Sequence, residues 1–175
     1  YKSISQKLFL LFLFFLPFQT VYFLREPFIA GEKWQYGVIG VYFTDILLLG
    51  AVVFTVIDWF KKREKTGYSL FILFFLWAGL SIFWASDTAL SLYFFIKLLF
   101  GAGIFFLARE IEIDAKKIVF VLSLAAVIQS GIGIAQFVSQ QSIGSSLLGM
   151  SAYNVWQAGT SVLKIDAERW LRAYG

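Results

Sequence analysis

The chain has 175 residues, 59% of them apolar and only 15% charged, against roughly 45–50% and about 25% in ordinary soluble domains. It has no cysteine and no histidine, which excludes disulfides, thiolate metal sites, a cysteine nucleophile and the commonest acid–base group. The net charge of +4 comes from basic residues that punctuate apolar segments instead of forming one patch, so it reads as membrane topology and not as a nucleic-acid surface.

A helix needs about 20 mostly apolar residues to cross the hydrocarbon core, and five segments meet or approach that length. The first spans 8–24 and is interrupted by Pro17, Gln19 and Thr20. No small-x-small cleavage site follows it, so it reads as an uncleaved first helix and not a signal peptide. The second spans 38–57 and carries Thr44 and Asp45; the third spans 68–85. The fourth spans 90–108, with Lys97 inside, and the fifth 118–138, with Gln129 and Gln136. Backbone polar groups cannot stay unpaired in lipid, so blocks of this length should be helical. A run such as Leu8-Phe-Leu-Leu-Phe-Leu-Phe-Phe-Leu16 lacks the alternation that barrel strands require. The expected class is all-α: a polytopic membrane helix bundle over 1–138, then an extracytoplasmic segment over 139–175.

Lys and Arg set the orientation. With the N-terminus cytoplasmic, nine basic residues fall inside and five outside, Lys97 being intramembrane. That bias places the N-terminus and the 58–67 loop in the cytoplasm, and everything after Val138 outside. Beyond Val138 the chain turns rich in Ser, Gln and Gly. Near its end, Thr160 to Ile165 and Trp170 to Tyr174 flank the polar Asp166-Ala-Glu-Arg169. This pattern suits a β-hairpin or an amphipathic interfacial helix.

Ionisable groups inside membrane segments are functional suspects. Asp45 and Lys97 each lie seven residues from the outer end of their segments, about 10 Å deep at roughly 1.5 Å per residue. Equal depth allows them to pair. The blander expectation, which the sequence favours, has Lys97 snorkelling while Asp45 starts a helix. Gln129, Gly133 and Gln136 share one helical face, which suits close helix packing with interhelical hydrogen bonds; a polar substrate path through Gln136 is the sharper alternative. Gly101 and Gly103 carry the same packing expectation. Arg169 and Arg172 lie beside Trp170 and Tyr174 in the outer segment. Their guanidinium forks suit a lipid-linked diphosphate, although from spacing alone the interfacial-anchor reading is the stronger.

Four stretches carry a family likeness: Leu16-Pro-Phe-Gln19, Asp45-Ile-Leu-Leu48, Gly133-Ile-Ala-Gln-Phe137 and above all Leu171-Arg-Ala-Tyr-Gly175. Together they resemble the O-antigen ligase and O-antigen polymerase superfamily. Arg172-Ala-Tyr-Gly175 looks like the Arg-x-x-Gly opening of a motif that continues Thr-Phe-x-His-Pro-Asn. The chain opens at Tyr1 and closes at that glycine, so the expectation is the N-terminal piece of a longer protein. The resemblance implies a bacterial inner-membrane glycosyltransferase that uses neither metal nor other cofactor. It would move a glycan from an undecaprenyl-diphosphate carrier to a glycan or lipid acceptor on the extracytoplasmic face. It also implies that Arg172 lies near the carrier diphosphate, and it places no catalytic base in these residues. The competing classes are a polytopic transporter, with a route along Asp45, Lys97 and the Gln129/Gln136 face, and a membrane scaffold without substrate.

Overall fold

The computed structural model describes residues 2–18, 20–29, 32–62, 69–141, 162–165 and 168–171. Five α-helices dominate: α1 (Lys2–Phe15), α2 (Phe43–Lys62), α3 (Ser69–Leu80), α4 (Thr88–Glu110) and α5 (Ala115–Ser139). Between α1 and α2 run four short strands: β1 (Val21–Arg25), β2 (Phe28–Ile29), β3 (Glu32–Lys33) and β4 (Ile39–Tyr42). Two more, β5 (Val162–Ile165) and β6 (Glu168–Leu171), follow α5. Among the described residues the strands pair as two-stranded sheets, β1 with β4, β2 with β3 and β5 with β6.

Among the described residues three helices are long and apolar enough to cross a membrane: α2 over Phe43–Lys61, α4 over Thr88–Glu110 and α5 over Ala115–Ser139. The 90–108 and 118–138 expectations match α4 and α5 to within three residues at each end. The first segment is corrected. Its helix covers Lys2–Phe15, not 8–24, and Val21–Arg25 is a strand. Pro17 lacks a donor N–H, its ring opposes the carbonyl four residues back, and it disfavours helical geometry at Leu16. The β-branched and aromatic residues beyond it then favour an extended chain. The second segment is corrected for a related reason. Residues 39–42 pair with β1, so the helix starts at Phe43 and not at Val38. The third is a 12-residue α-helix extended by a 3-10 turn, Ser81–Trp84.

The chain divides into two compact units. The first contains residues 1–9, 22–41 and 45–112. Within it, Ser5 reaches Ala51 and Thr55, and Leu8 touches Gly50, so α1 runs antiparallel to α2. Asp45 meets Lys97, Val52 meets Gly103 and Trp59 meets Phe106, so α2 and α4 run parallel. Phe71 stacks on Phe105 and Gly79 faces Phe95, so α3 is antiparallel to α4. The buried centre consists of Phe9, Leu47, Leu48, Ala51, Leu107 and Ile111. Small residues set the approach. A Cβ on Gly103 would lie 2.9 Å from Val52 Cγ2, and one on Gly79 3.3 Å from Phe95 Cζ. Gly101 has nothing within 4 Å, so the packing expectation holds for Gly103 and fails for Gly101.

The second unit comprises residues 10–21, 42–44 and 113–175. Phe15 packs edge-to-face on Phe43, and the Phe43 amide donates to the Thr20 carbonyl. Asp114 caps α5 by accepting from the Lys116 amide at 3.0 Å. Gln140, in the left-handed region at φ 52°, ends that helix. The β5–β6 hairpin runs beside α5, with Ile165 opposite Glu168. The expected hairpin is therefore present over 162–165 and 168–171, where the described residues are strand and not interfacial helix. Glu168 and Arg169 belong to β6 and not to a turn.

Only 6% of the apolar window is buried in each of α4 and α5, and 22% in α2. Trp77, Phe83 and Trp84 are each at least three-quarters exposed. In water such surface would far exceed the few hundred Å² that monomers usually leave open. Apolar helices of this kind are compatible with contact to membrane lipid.

Candidate functional site

Asp45 and Lys97 make the most distinctive polar contact in the first unit. Lys97 Nζ lies 2.5 Å from Asp45 Oδ2, with side chains 27% and 16% exposed. The expectation that Lys97 snorkels away is thereby corrected. Each charge lowers the cost of burying the other. Asp45 sits in the first turn of α2, where the helix macrodipole favours a carboxylate. Tyr93 and Phe100, one turn either side of Lys97 on α4, bring their ring centroids to 5.4 and 5.8 Å of the ammonium. These rings add cation–π attraction.

The two residues do not meet for the reason the sequence offered. Asp45 is the third residue of α2 and Lys97 the tenth of α4, so their distances from the starts of their helices differ by about 10 Å at roughly 1.5 Å per residue. The pair forms because α2 starts late and α4 starts early. The first turns of α4 face the β1 and β4 strands instead of α2. A cleft of about 290 Å³ lies there, walled by these strands, α2 and α4, with the ion pair in its lining.

Arg25, at the end of β1, bonds Asp87 Oδ2 at 2.7 Å. Asp87 also caps α4 by accepting from the Leu90 amide at 3.0 Å. The Leu90 amide first, and Arg25 second, hold the Asp87 carboxyl below its ordinary value of 3.8. This contribution to stability is complete above the ordinary carboxylate range and is lost as pH falls through the lowered folded value. Acid titration of unfolding in detergent should therefore show a loss near and below pH 4 that is smaller in Asp87→Asn.

A second polar contact is buried. Ser5 and Thr55 touch through their hydroxyls and both donate to the Ala51 carbonyl, at 2.9 Å each, joining α1 to α2. Sequence reasoning missed it, since a lone Ser or Thr in an apolar helix carries no distinguishing signal. The Arg25–Asp87 bond was missed too, although Ser86-Asp87 before an apolar run is a readable helix start.

On α5, Ala125 and Gln136 are fully buried. Gln129 Oε1 is shielded from solvent without a hydrogen-bond partner among the described residues. The Gln129/Gly133/Gln136 face is thus the packed face of that helix. Arg169 stands in β6 opposite Lys164, and Arg172 lies outside the described residues. Among the described residues no cluster of three or more Asp or Glu side chains could hold a metal ion. Compared with known protein families, curated proteins and solved structures, the chain matches none.

Proposed function

We propose that this chain is a multi-pass protein of the bacterial inner membrane, with a cytoplasmic N-terminus. We propose further that it acts in O-antigen ligase-like transfer or polymerisation of undecaprenyl-diphosphate-linked glycans at the extracytoplasmic face. The observation that carries the topology is the up-and-down order of the first four helices. That order puts the start of α1, the end of α2 and the end of α4 at one end of the first unit. Lys2, Lys7, Lys61 and Arg109 belong to that end. Arg25 and the Asp87 cap belong to the other. The packing gathers these basic residues at one end, and the inside-positive rule assigns that end to the cytoplasm. At about 1.5 Å per residue, α1 reaches roughly 21 Å and is shorter than the hydrocarbon core; it would cross by local thinning or snorkelling of its basic flank. Reporter fusions should be cytoplasm-active at Lys65 and export-active at Gly159. The opposite pattern overturns the orientation.

The glycan-transfer reading is carried by Arg172-Ala-Tyr-Gly175, which directly follows β6. The planar fork of donors on an arginine suits a diphosphate at the outer face. Arg172→Lys keeps the charge and loses the planar fork. Donor affinity should fall roughly ten- to a hundredfold, the equivalent of one charge-assisted contact. Equal transfer by Arg172→Lys, Arg172→Ala and the parent, at matched membrane levels, would leave Arg172 as an interfacial anchor.

A further inference from the structure

We propose that the β1–β4 ribbon is an interfacial anchor, seated in the outer leaflet at the boundary between lipid headgroups and acyl chains. The proposal rests on the membrane reading above and on nothing about glycan transfer. The ribbon's own composition comes first. Successive side chains of a strand point to opposite faces, and every residue of β1 from Tyr22 to Arg25 is exposed. Tyr22 and Leu24, on one face, are 72% and 62% exposed, and Phe23, on the other, 47%. A two-stranded ribbon is marginal in water, and leaving apolar side chains open on both faces forgoes the burial that would support it. Its edges exclude the opposite environment. Among the described residues neither strand has a second strand beside it, and an open strand edge is not tolerated in hydrocarbon. The headgroup boundary meets both demands, because water and headgroups reach the edges while acyl chains cover the faces.

The neighbours set the depth. The Gly40 amide of β4 donates to the Tyr93 hydroxyl, so that part of the ribbon is satisfied by protein and lies beside the sixth residue of α4. The contact is therefore about 8 Å along α4 from its start, at roughly 1.5 Å per residue. The 23 residues of α4 extend about 34 Å at that rise, a few ångströms beyond the roughly 30 Å hydrocarbon core. Its first turn stands in the interface, and the ribbon beside it straddles the boundary. Charge keeps to the outer side: Arg25, the last residue of β1, bonds Asp87, the cap just ahead of α4. The same end carries the exposed rings of Phe83 and Trp84, and tryptophan and tyrosine settle at headgroup level. Lipid is the occupant because the surface is continuous. Val41 of the ribbon and Ile46 and Leu49 of α2 line one cleft and are all exposed, so the apolar face of the ribbon runs on into a helix apolar enough to cross a membrane.

The test is nitroxide depth measurement on the full chain in vesicles of palmitoyl-oleoyl phosphatidylethanolamine and phosphatidylglycerol. The chain has no cysteine, so Tyr22→Cys, Phe23→Cys, Leu24→Cys and Leu98→Cys each carry a single label. Collisions with dioxygen, which concentrates in hydrocarbon, and with a nickel chelate, which stays in water, read the depth of each. All three ribbon labels should lie within about 5–10 Å of the headgroup boundary, as interfacial elements do. Leu98→Cys, about 15 Å along α4, should lie near the bilayer centre. Ribbon labels as open to nickel as a label in bulk water overturn the anchor, and so do ribbon labels as deep as Leu98→Cys. Shielding of the labels at 22 and 24 from both reagents, with the label at 23 open, means that protein covers one face and overturns the lipid assignment. A Leu98→Cys label in water instead removes the membrane reading itself. The unmodified chain gives a second measurement if the labels disturb folding. A phospholipid with a diazirine near its ester should cross-link to residues 22–25, and one with the diazirine at the chain terminus should not. No adduct from either probe overturns the proposal.

Discussion

Replacing Lys97 by methionine should destabilise the first unit by about 2–4 kcal/mol, approaching the cost of breaking a buried ion pair from one side. Methionine keeps most of the apolar stem, so little packing is lost. What changes is the electrostatics of Asp45, whose side chain is 16% exposed and is left without its ammonium. The cation–π contacts with Tyr93 and Phe100 disappear at the same time. The single variant Asp45→Asn should also destabilise, by stranding Lys97. The double variant Asp45→Asn/Lys97→Met should recover most of the loss, because a neutral pair has no charge to desolvate. Equilibrium unfolding in mixed micelles reads all four corners of this cycle. A Lys97→Met change within about 0.5 kcal/mol of the parent would mean that the contact behaves as an exposed surface pair.

What the sequence revealed, and what it concealed, follows from the range of the interactions. The ends of α4 and α5 were legible to within three residues because each is one continuous apolar run long enough to cross the hydrocarbon core. The ends of α1 and α2 were concealed. Residues 20–25 and 38–42 are apolar enough to pass for helix, and short apolar runs do not distinguish helix from strand. What decides them is the pairing of β1 with β4, and no local pattern encodes that. The hairpin at 162–171 could be read from its apolar flanks and polar centre, but its turn could not, since neither Gly nor Asn marks it. Asp45 and Lys97 were recognisable as intramembrane charges, but the sequence favoured a snorkelling Lys97 over the ion pair that forms. Their stagger was not legible either, because it depends on where α2 begins. Gly101 and Gly103 look equivalent in sequence, and only the position of α2 separates them.

That separation supplies a sharp expectation. Gly101 stands in the interior of α4 with no atom within 4 Å of an added Cβ. Gly101→Ala should therefore stabilise the helix by about 0.5–1 kcal/mol, the intrinsic advantage of alanine over glycine. Gly103 is buried two residues further on. An added Cβ there would lie 2.9 Å from Val52 Cγ2, inside any ordinary contact. The neighbour is the end of a side chain, but Val is β-branched and has few χ1 alternatives on a helix. Gly103→Ala should gain the helix propensity and lose it again in displaced packing, ending near neutral or mildly destabilising. Gly103→Leu cannot be accommodated by a rotamer change. It must push α2 from α4, and should cost about 3 kcal/mol, at the upper end of overpacking penalties. Moving the helices apart also stretches the Trp59–Phe106 contact, whose centroids are 6.4 Å apart. The near-ultraviolet circular dichroism of Trp59 should change in Gly103→Leu and not in Gly101→Leu. Shrinking the partner should relieve the strain, so Val52→Ala should rescue Gly103→Ala more than it perturbs the parent. Equal effects of leucine at 101 and at 103 would mean that α2 and α4 do not meet at Val52, and the parallel packing of these two helices would have to be redrawn.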